Sequence, residues 1–473
     1  MEKRQYSIEE LENFSLEAYK SVSFQDFWDI KDQYMAIPKE QASPTRIVPV
    51  QVLINVMQGR LDEAKELAES ILKSDDPHAE FIYHNVCLII PTLTLEELES
   101  HTNALANVDE EVLGLTFSAG HPSLLNGYRD FSYFGDYLYN QKERFIKMLT
   151  VLYGNAAENM YNVGKAEFLY QTNQCLKAMA RITKQIPLLE KSGDIRTLFA
   201  ASCLQMQILV MNGELSSAVQ MVKQIRSQVK DRANAELLYN LDALETKIAI
   251  YEGHYDIVTK WLENKAPNEY LDFKMHDLYG YMVKIRCYIL TGRFIAGMGL
   301  ISRLSPLLQK GLRPMDYCEL QILTAIGGYK ADLKKECFEA LEQALEIGYK
   351  YKYYRLFADE GEPLLKVLNA YRKAKPNAPH KEYIKEIIEI TRTTALLYPN
   401  YLLEPFSKKI ELTIHELDIL KLLSHGLSYE EIAGQSNISI NTVRYHIKKI
   451  YEKLDVNSSS EALSRARTLD LLK

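Results

Sequence analysis

The chain has 473 residues and a formal net charge of −7, with 47% hydrophobic and 25% charged residues. This length is too great for one hydrophobic core, so two or more domains are expected. The net acidity argues against a protein that coats nucleic acid without specificity. The six cysteines stand singly, which favours neither a disulfide framework nor a zinc site, and no apolar run suits a signal peptide or a membrane span. A cytoplasmic protein without membrane contact is predicted.

A glycine-centred turn between two helical patterns recurs along the first 397 residues. Each instance has Gly or Asn at the turn, an apolar residue two positions later and a small residue five positions later. Gly and Asn tolerate the left-handed backbone that ends a helix. The turn residues are Gly59, Asn173, Gly213, Gly253 and Gly292, and the last four are 40, 40 and 39 residues apart. This period predicts an all-α solenoid of stacked helix pairs over residues 1–397.

Other parts of this region follow the period less well. The register is weak between residues 78 and 165, and it is predicted to loosen after residue 314. A final helix is predicted before Pro399, and the proline-containing segment YPNYLLEPFSKKIE, 398–411, is predicted to be a linker. The aromatic stretch Asn126–Asn140 has two interpretations, since its tyrosines can pack between helices or line a binding groove.

From residue 412 to residue 473, capping signals divide the chain into four short helices. Three pairs have capping-box spacing, namely Thr413 with Glu416, Ser428 with Glu431 and Ser458 with Glu461. Gly426 is placed to end the first helix, and SNIS predicts a tight turn after the second. Ser439 is placed to cap a longer helix, Ile440–Leu454, and the last helix is predicted to run through Leu472.

The third of these helices has two distinct faces. Its apolar residues recur with helical spacing and are predicted to be buried: Val443, Ile447, Ile450 and Leu454. The same helix carries four basic residues and one acidic residue within an acidic protein. A short helix, a tight turn and a helix with a polar outer face form the helix-turn-helix plan, in which the second helix enters the major groove.

Each exposed residue of this helix suits a contact with DNA. The predicted DNA-binding residues are Asn441, Thr442, Arg444, Tyr445, Lys448 and Lys449. Arg444 can contact guanine through two hydrogen bonds, Lys448 can reach guanine or phosphate, and Tyr445 can touch a thymine methyl group or a phosphate. Asn441, Thr442 and the helix N-terminus suit phosphates, for which Ser428 and Ser439 are further candidates.

The stretch LTIHELDILKLLSHGLSYEEIAGQSNISINTVRYHIKKIYEKLDV, followed by SSSEALSRARTLDLL, resembles the LuxR-type, or GerE-type, DNA-binding domain. The resemblance implies promoter binding, with base contacts from Arg444, Tyr445 and Lys448. It also implies that the final helix pairs two copies of the domain. The residues predicted for that pairing are Ala462, Leu463, Ala466 and Leu469. Ser436 departs from the family, which usually has an apolar residue at this turn.

The upstream region resembles the C-terminal part of MalT-like regulators. The resemblance rests on the tetratricopeptide-like repeats, on RLFADEGEPLLKVL at 355–368 and on the order of the domains. Those regulators usually begin with a nucleotide-binding ATPase module. This sequence contains no G-x-x-x-x-G-K-[ST], so we predict no ATP binding through a P-loop.

These features predict a one-component bacterial transcription regulator. Its repeats would sense a small molecule, peptide or protein, and its terminal domain would bind promoter DNA as a homodimer, with RNA polymerase as a further partner. The alternative is an interaction scaffold whose terminal module docks on protein, but the retained basic residues favour the regulator. The sequence shows no catalytic or metal-binding motif, so neither an enzyme nor a cofactor is predicted.

Overall fold

The computed structural model describes residues 4–14, 24–108, 121–135, 140–229, 235–403, 412–454, 456, 458–468 and 471–472. The chain divides into two compact units, Met1–Leu402 and Leu403–Lys473. Throughout these ranges every named element is a helix and no strand is present, which confirms the predicted all-α fold. None of the helices in them combines the length and the apolar character needed to cross a membrane.

Before the regular repeats, the described residues of the first unit form six helices. They are α1 (Ile8–Asn13), α2 (Phe24–Met35), α3 (Ile47–Met57), α4 (Leu61–Ile71), α5 (Ala79–Cys87) and α6 (Leu95–Leu105). The remaining helices of this unit are α7 (Lys142–Tyr153), α8 (Ala157–Gln171), α9 (Cys175–Ser192), α10 (Ile195–Met211), α11 (Leu215–Gln228), α12 (Ala235–Glu252), α13 (Tyr255–Asn264), α14 (Leu278–Leu290), α15 (Phe294–Lys310), α16 (Pro314–Lys330), α17 (Lys334–Tyr351), α18 (Arg355–Ala358), α19 (Gly361–Ala374) and α20 (Lys381–Leu397).

All five predicted turn residues have left-handed backbone. Their φ angles are +74° at Gly59, +59° at Asn173, +83° at Gly213, +75° at Gly253 and +69° at Gly292. After each of these residues, the next N–H donates to a carbonyl five residues earlier, over 2.8 to 3.0 Å. This is the hydrogen bond of a Schellman cap, which satisfies a carbonyl at the end of the helix. The predicted helix caps are therefore confirmed.

The repeat register continues beyond residue 314, contrary to the prediction. Asp332 lies 40 residues after Gly292 and has a φ of +58°, and the Leu333 N–H donates to the Gly328 carbonyl over 2.8 Å. Cys337, five residues after Asp332, is fully buried as the small residue of the motif. The sequence pattern concealed this turn because Asp, which tolerates left-handed backbone, stands where the other turns have Gly or Asn.

The helices of the repeats form two layers. The first helix of a pair is buried around most of its circumference, as in α10, where residues on all sides are buried. The second helix buries a single stripe, which in α9 consists of Ala178, Ile182, Gln185 and Leu189. The first helices therefore form an inner layer, and the second helices separate it from solvent.

The irregular segment 121–135 interrupts the repeats and is held in place by the buried Arg313. Arg313 donates to the carbonyls of Gly127 and Tyr128 and to the side chain of Asn126, each over 2.9 Å. From the same segment, Asp130 accepts the N–H of Met315 over 2.8 Å. A buried guanidinium with this many acceptors fixes a segment that has little regular backbone bonding of its own.

The described part of the aromatic stretch supports the packing interpretation. Tyr128, Phe131 and Phe134 are buried in the main core of the first unit. Two further tyrosines of that stretch, Tyr137 and Tyr139, lie outside the described residues.

The predicted linker does not begin at residue 398. Helix α20 ends at Leu397, just before Pro399 as predicted, but Tyr398, Tyr401 and Leu402 are buried in the first unit. The Tyr401 ring stacks on Tyr251 with a centroid separation of 4.2 Å. The apolar residues of the predicted linker thus complete the repeat core, and residues 404–411 lie outside the described residues.

The described residues of the second unit form four helices. They are α21 (Ile414–Ser424), α22 (Tyr429–Ser436), α23 (Ile440–Leu454) and α24 (Ser459–Thr468). Helix α24 is shorter than predicted. The Leu471 N–H donates to the Ala466 carbonyl over 3.0 Å, and Leu471 and Leu472 pack on the core of the unit.

Candidate nucleic-acid interface

Helix α23 is held in the second unit by the apolar stripe that the sequence predicted. Val443, Ile447, Ile450 and Leu454 are all buried. They pack with residues of the other three helices in one cluster, which includes Ile419, Leu420, Leu423, Ile432, Ala433, Ala462 and Ala466. The packing fixes the rotation of α23, so the residues between the buried positions must face outward.

Side-chain caps fix the starts of α21, α22 and α23. Thr413 with Glu416 and Ser428 with Glu431 form reciprocal capping boxes, as predicted. The Ser439 hydroxyl accepts the Thr442 N–H over 3.1 Å and lies 2.8 Å from the Thr442 hydroxyl. Each cap satisfies N–H groups that the first turn of a helix leaves without partners.

The turn between α22 and α23 depends on one left-handed residue. Asn437 has a φ of +53°, and the Ile438 N–H donates to the Ala433 carbonyl over 3.1 Å. Asn is the second choice after Gly for this conformation. The chain therefore reverses within Asn437–Ser439, and α23 follows α22 with the short connection of a helix-turn-helix.

The outward face of α23 exposes most of the predicted DNA-binding residues. Asn441, Arg444, Tyr445 and Lys448 are exposed, and the side chains of Thr442 and Lys449 are partly buried. The Tyr445 residue is 59% exposed, so its ring and hydroxyl are open to contact from outside the unit. His446 is half-buried and meets the Tyr445 ring edge to face at 5.6 Å, a position that suits a structural role.

Two of the four cations on α23 are neutralised within the unit. Lys449 Nζ lies 2.7 Å from Glu452, and Lys453 Nζ lies 2.6 Å from Glu416 on α21. By contrast, Arg444 and Lys448 form no ion pair with any residue that the structure describes. The positive charge available to an approaching anion is thus concentrated on the residues predicted to read bases.

Glu416 was not predicted as part of this arrangement. Burial alone would raise the pKa of Glu416, but the hydrogen bonds from Lys453 and Thr413 outweigh burial and hold this pKa below its ordinary value. The pair joins the start of α21 to the last turn of α23. Only the capping-box spacing pointed to Glu416, and nothing in the sequence pointed to Lys453 as its partner.

The other predicted site residues have structural neighbours in the unit. The hydroxyls of Ser428 and Ser439 both serve as cap acceptors, so a phosphate would have to share them. In α24, Ala462 and Ala466 are fully buried and Leu463 is partly buried. Pairing of two copies through α24 stays a prediction, but Ala462 and Ala466 cannot form the contact surface without unpacking this core. Leu469 lies outside the described residues.

The second unit therefore has the architecture of a four-helix helix-turn-helix domain. Comparison with known families identifies it further, since residues 411–466 match the model "Bacterial regulatory proteins, luxR family". Residues 153–374 match the model "MalT-like TPR region". The chain thus combines a MalT-like tetratricopeptide region with a C-terminal luxR-family domain, which confirms both predicted resemblances.

Three similar proteins extend these matches. The HTH-type transcriptional regulator MalT of Yersinia enterocolitica is 25% identical over 211 residues, which are 41% of this chain and 23% of that protein. MalT of Klebsiella pneumoniae is 23% identical over 329 residues, 64% of this chain and 36% of that protein. The transcriptional regulatory protein DesR of Bacillus subtilis is 28% identical over 135 residues, 28% of this chain and 67% of that protein. The chain spans well under half the length of these MalT relatives.

Proposed function

We propose that this chain is a DNA-binding transcription regulator of the cytoplasm. In this proposal α23 enters the major groove of promoter DNA, Arg444 and Lys448 contact bases or phosphates, and Tyr445 contacts a thymine methyl group or a phosphate. Asn441, Thr442 and Lys449 contact the backbone. The similarity to the regulators MalT and DesR supports this proposal.

One observation carries the proposal. The unit neutralises Lys449 and Lys453 internally and leaves Arg444 and Lys448 exposed, without ion pairs among the described residues and on the face of α23 opposite its buried stripe. A docking module for another protein has no need to keep two uncompensated cations beside an exposed tyrosine on the second helix of a helix-turn-helix.

We propose further that the repeat unit senses a ligand or a partner protein and changes the DNA affinity of the regulator. Such coupling requires a ligand that binds the two states of the protein with different affinity. Binding of two copies to paired half-sites and contact with RNA polymerase belong to the same proposal.

The test is selection of genomic DNA fragments by the purified chain. The wild type is expected to enrich a shared short sequence, and the Arg444→Ala/Lys448→Ala variant is expected to lose it. Each lost base contact costs about 1–3 kcal/mol, so the pair costs about 2–6 kcal/mol if the contacts are independent. Lys421→Ala is the control, since Lys421 is an exposed cation of the same unit but lies on α21.

The selection is repeated at two salt concentrations, because non-specific binding is the more salt-sensitive component. If the double variant enriches the same sequence as the wild type, the proposed contacts are wrong. If the wild type enriches no sequence with or without extract from the source cells, the scaffold alternative replaces the regulator.

A further inference from the structure

The inner helices of the repeat unit surround a cavity of about 130 Å³. Its lining comes from α8, α10, α12, α14, α16, the segment around α18 and the loop that begins at His121. Apolar side chains such as Leu244, Ile248 and Met282 alternate there with charged ones. Specific small-molecule sites have this composition, an apolar wall with a few placed polar groups.

The carboxylates of the lining already have partners within the protein. Glu167 accepts the N–H groups of Leu124 and Leu125 and the hydroxyl of Ser123, and burial raises its pKa to about 7. The other four are also engaged. Asp316 accepts hydrogen bonds from Arg313 and Asn126, and Glu319 accepts one from Arg286. Glu360 accepts from Arg286 and Tyr401, and Asp359 accepts from Tyr170 and Gln207 and forms an ion pair with Arg355. The cavity therefore offers no uncommitted carboxylate to a cationic ligand.

Lys247 differs from every other charged group of this lining. It projects from the cavity face of α12, beside Leu244, Ile248 and Tyr251. No described residue accepts a hydrogen bond from its ammonium group or forms an ion pair with it. Lys247 is partly buried, and its ammonium carries three donors for which the described residues supply no acceptor.

Two more polar side chains of the lining have no described partner. The Gln171 Oε1 atom is buried without a hydrogen bond. The partly buried Tyr279 also lines the cavity, and its hydroxyl forms no hydrogen bond with a described residue. Together with Lys247 they come from three inner helices, α8, α12 and α14. Their uncommitted groups are mostly donors, and one of them is cationic.

We infer that this cavity binds a small molecule through its carboxylate group, which accepts hydrogen bonds from Lys247 and Tyr279. The apolar wall takes the rest of the ligand, and Gln171 supplies one further hydrogen bond. A monoanion is favoured over phosphate because several carboxylates stand in the same lining, where a second negative charge would be repelled. The inference deepens the proposed sensory function of the repeats and depends on that function for its biological meaning.

The electrostatics of Lys247 agree with this geometry. Burial and the neighbouring Arg286 lower the pKa of Lys247, against the opposing effect of Glu319, Glu360 and Asp359. A bound carboxylate would add the hydrogen-bonded negative partner that these carboxylates do not supply.

The wall of the cavity also holds the segment that precedes the second unit. The lining residue Tyr251 stacks on Tyr401, and the lining residue Glu360 accepts the Tyr401 hydroxyl over 2.9 Å. The Tyr398 hydroxyl donates to the carbonyl of Val210, which is another lining residue. A ligand at Lys247 is therefore one residue away from the last described segment of the repeat unit, which is a short route for a signal.

The test compares carboxylates with their isosteric amides on the full chain. Butyrate and benzoate are titrated against butyramide and benzamide by calorimetry and ligand-observed NMR. We expect the carboxylates to bind at least tenfold more tightly than the amides. Lys247→Gln is expected to remove this preference, whereas Lys260→Gln, at an exposed lysine on α13, is expected to retain it.

Several outcomes would overturn the inference. They are equal binding of carboxylates and amides, no binding of either carboxylate, tighter binding of inorganic phosphate, or an unchanged preference in Lys247→Gln. The unfolding midpoint of Lys247→Gln is measured as well. It is expected to equal or exceed that of the wild type, and a clear fall would show that Lys247 is a structural partner of the neighbouring carboxylates.

The result separates this inference from the proposed function. If the chain selects DNA but binds no carboxylate, only the carboxylate inference is refuted. If the chain binds carboxylates through Lys247 but selects no DNA, only the proposed regulator function is refuted.

Discussion

The internal pairing of cations on α23 predicts which lysines control the salt dependence of DNA binding. Each phosphate contact contributes a slope of about −0.9 to the logarithm of affinity against the logarithm of salt concentration. Lys448 is free to make such a contact, whereas Lys453 lies 2.6 Å from Glu416, which is 4% exposed. If Lys448 contacts a phosphate, Lys448→Gln is therefore expected to make the salt slope shallower by about 0.9, the share of one contact. If Lys448 contacts guanine instead, the variant is expected to lose the preference for that base at one position of the site.

Lys453→Gln is expected to behave differently. It should leave the salt slope and the base preference unchanged, because Glu416 already holds the Lys453 charge. It should instead destabilise the second unit by about 1 kcal/mol, a value reduced for the partial exposure of Lys453, because the variant leaves a buried carboxylate without its cation. Fluorescence anisotropy with the selected DNA site, from about 50 to 300 mM salt, measures the slopes. An equal loss of slope in both variants would refute the reasoning.

Three further predictions concern stability. Gly348→Ala should lower the free energy of unfolding by about 1–3 kcal/mol, because the new Cβ would lie 2.5 Å from a Phe357 ring carbon. Gly164→Ala should raise it by about 1 kcal/mol, because the new Cβ meets no atom within 4 Å, and urea unfolding measures both. Glu416→Gln should be less stable than the wild type near neutral pH. This difference should vanish as pH falls through the pKa of folded Glu416, which lies below the ordinary 4.5, and hydrogen exchange of α21 at several pH values measures it. Tyr401→Phe should cost about 1–2 kcal/mol, because it takes a donor from a buried carboxylate; thermal unfolding tests it.

Each of these predictions has an outcome that contradicts it. Equal stability of the two alanine variants would mean that the helix relaxes around residue 348 at no cost. If Glu416→Gln and the wild type lost the same stability at low pH, the pKa of Glu416 would not differ between the folded and unfolded states. An unchanged unfolding midpoint in Tyr401→Phe would show that the arginine partner alone satisfies the carboxylate.

The features that the sequence predicted correctly are those decided by local chemistry. A left-handed turn residue such as Gly213 or Asn173 needs a particular side chain, and its consequence appears within five residues of chain. The capping boxes and the buried stripe of α23 are equally local. The turn at Asp332 was not predicted, and the reason is also local. Asp is a weaker indicator of left-handed backbone than Gly or Asn.

The arrangement around Lys247 could not be predicted in this way. Arg286 and Glu360 are 74 residues apart, and Asn126 and Arg313 are 187 residues apart, yet each pair is hydrogen-bonded in the first unit. Nothing in the period of the repeats states which charged residues of successive inner helices meet. The partners depend on the rotation of each inner helix, and that rotation is set by packing on both neighbours.

The misplaced start of the linker has a functional consequence. The segment 398–402, which contains one proline and several apolar residues, suits either a flexible connection or a strap that packs against the repeats, and its sequence is compatible with both. The structure supports the strap, because Tyr398 and Tyr401 are buried. Their hydroxyls donate hydrogen bonds to the Val210 carbonyl and the Glu360 carboxylate, which belong to the cavity wall. If the strap were free of the repeats, occupancy of the cavity could not reach the chain that leads to the second unit. Because the wall and the strap share hydrogen bonds, a ligand that shifts Glu360 or Tyr251 must also change the free energy of holding the strap in place.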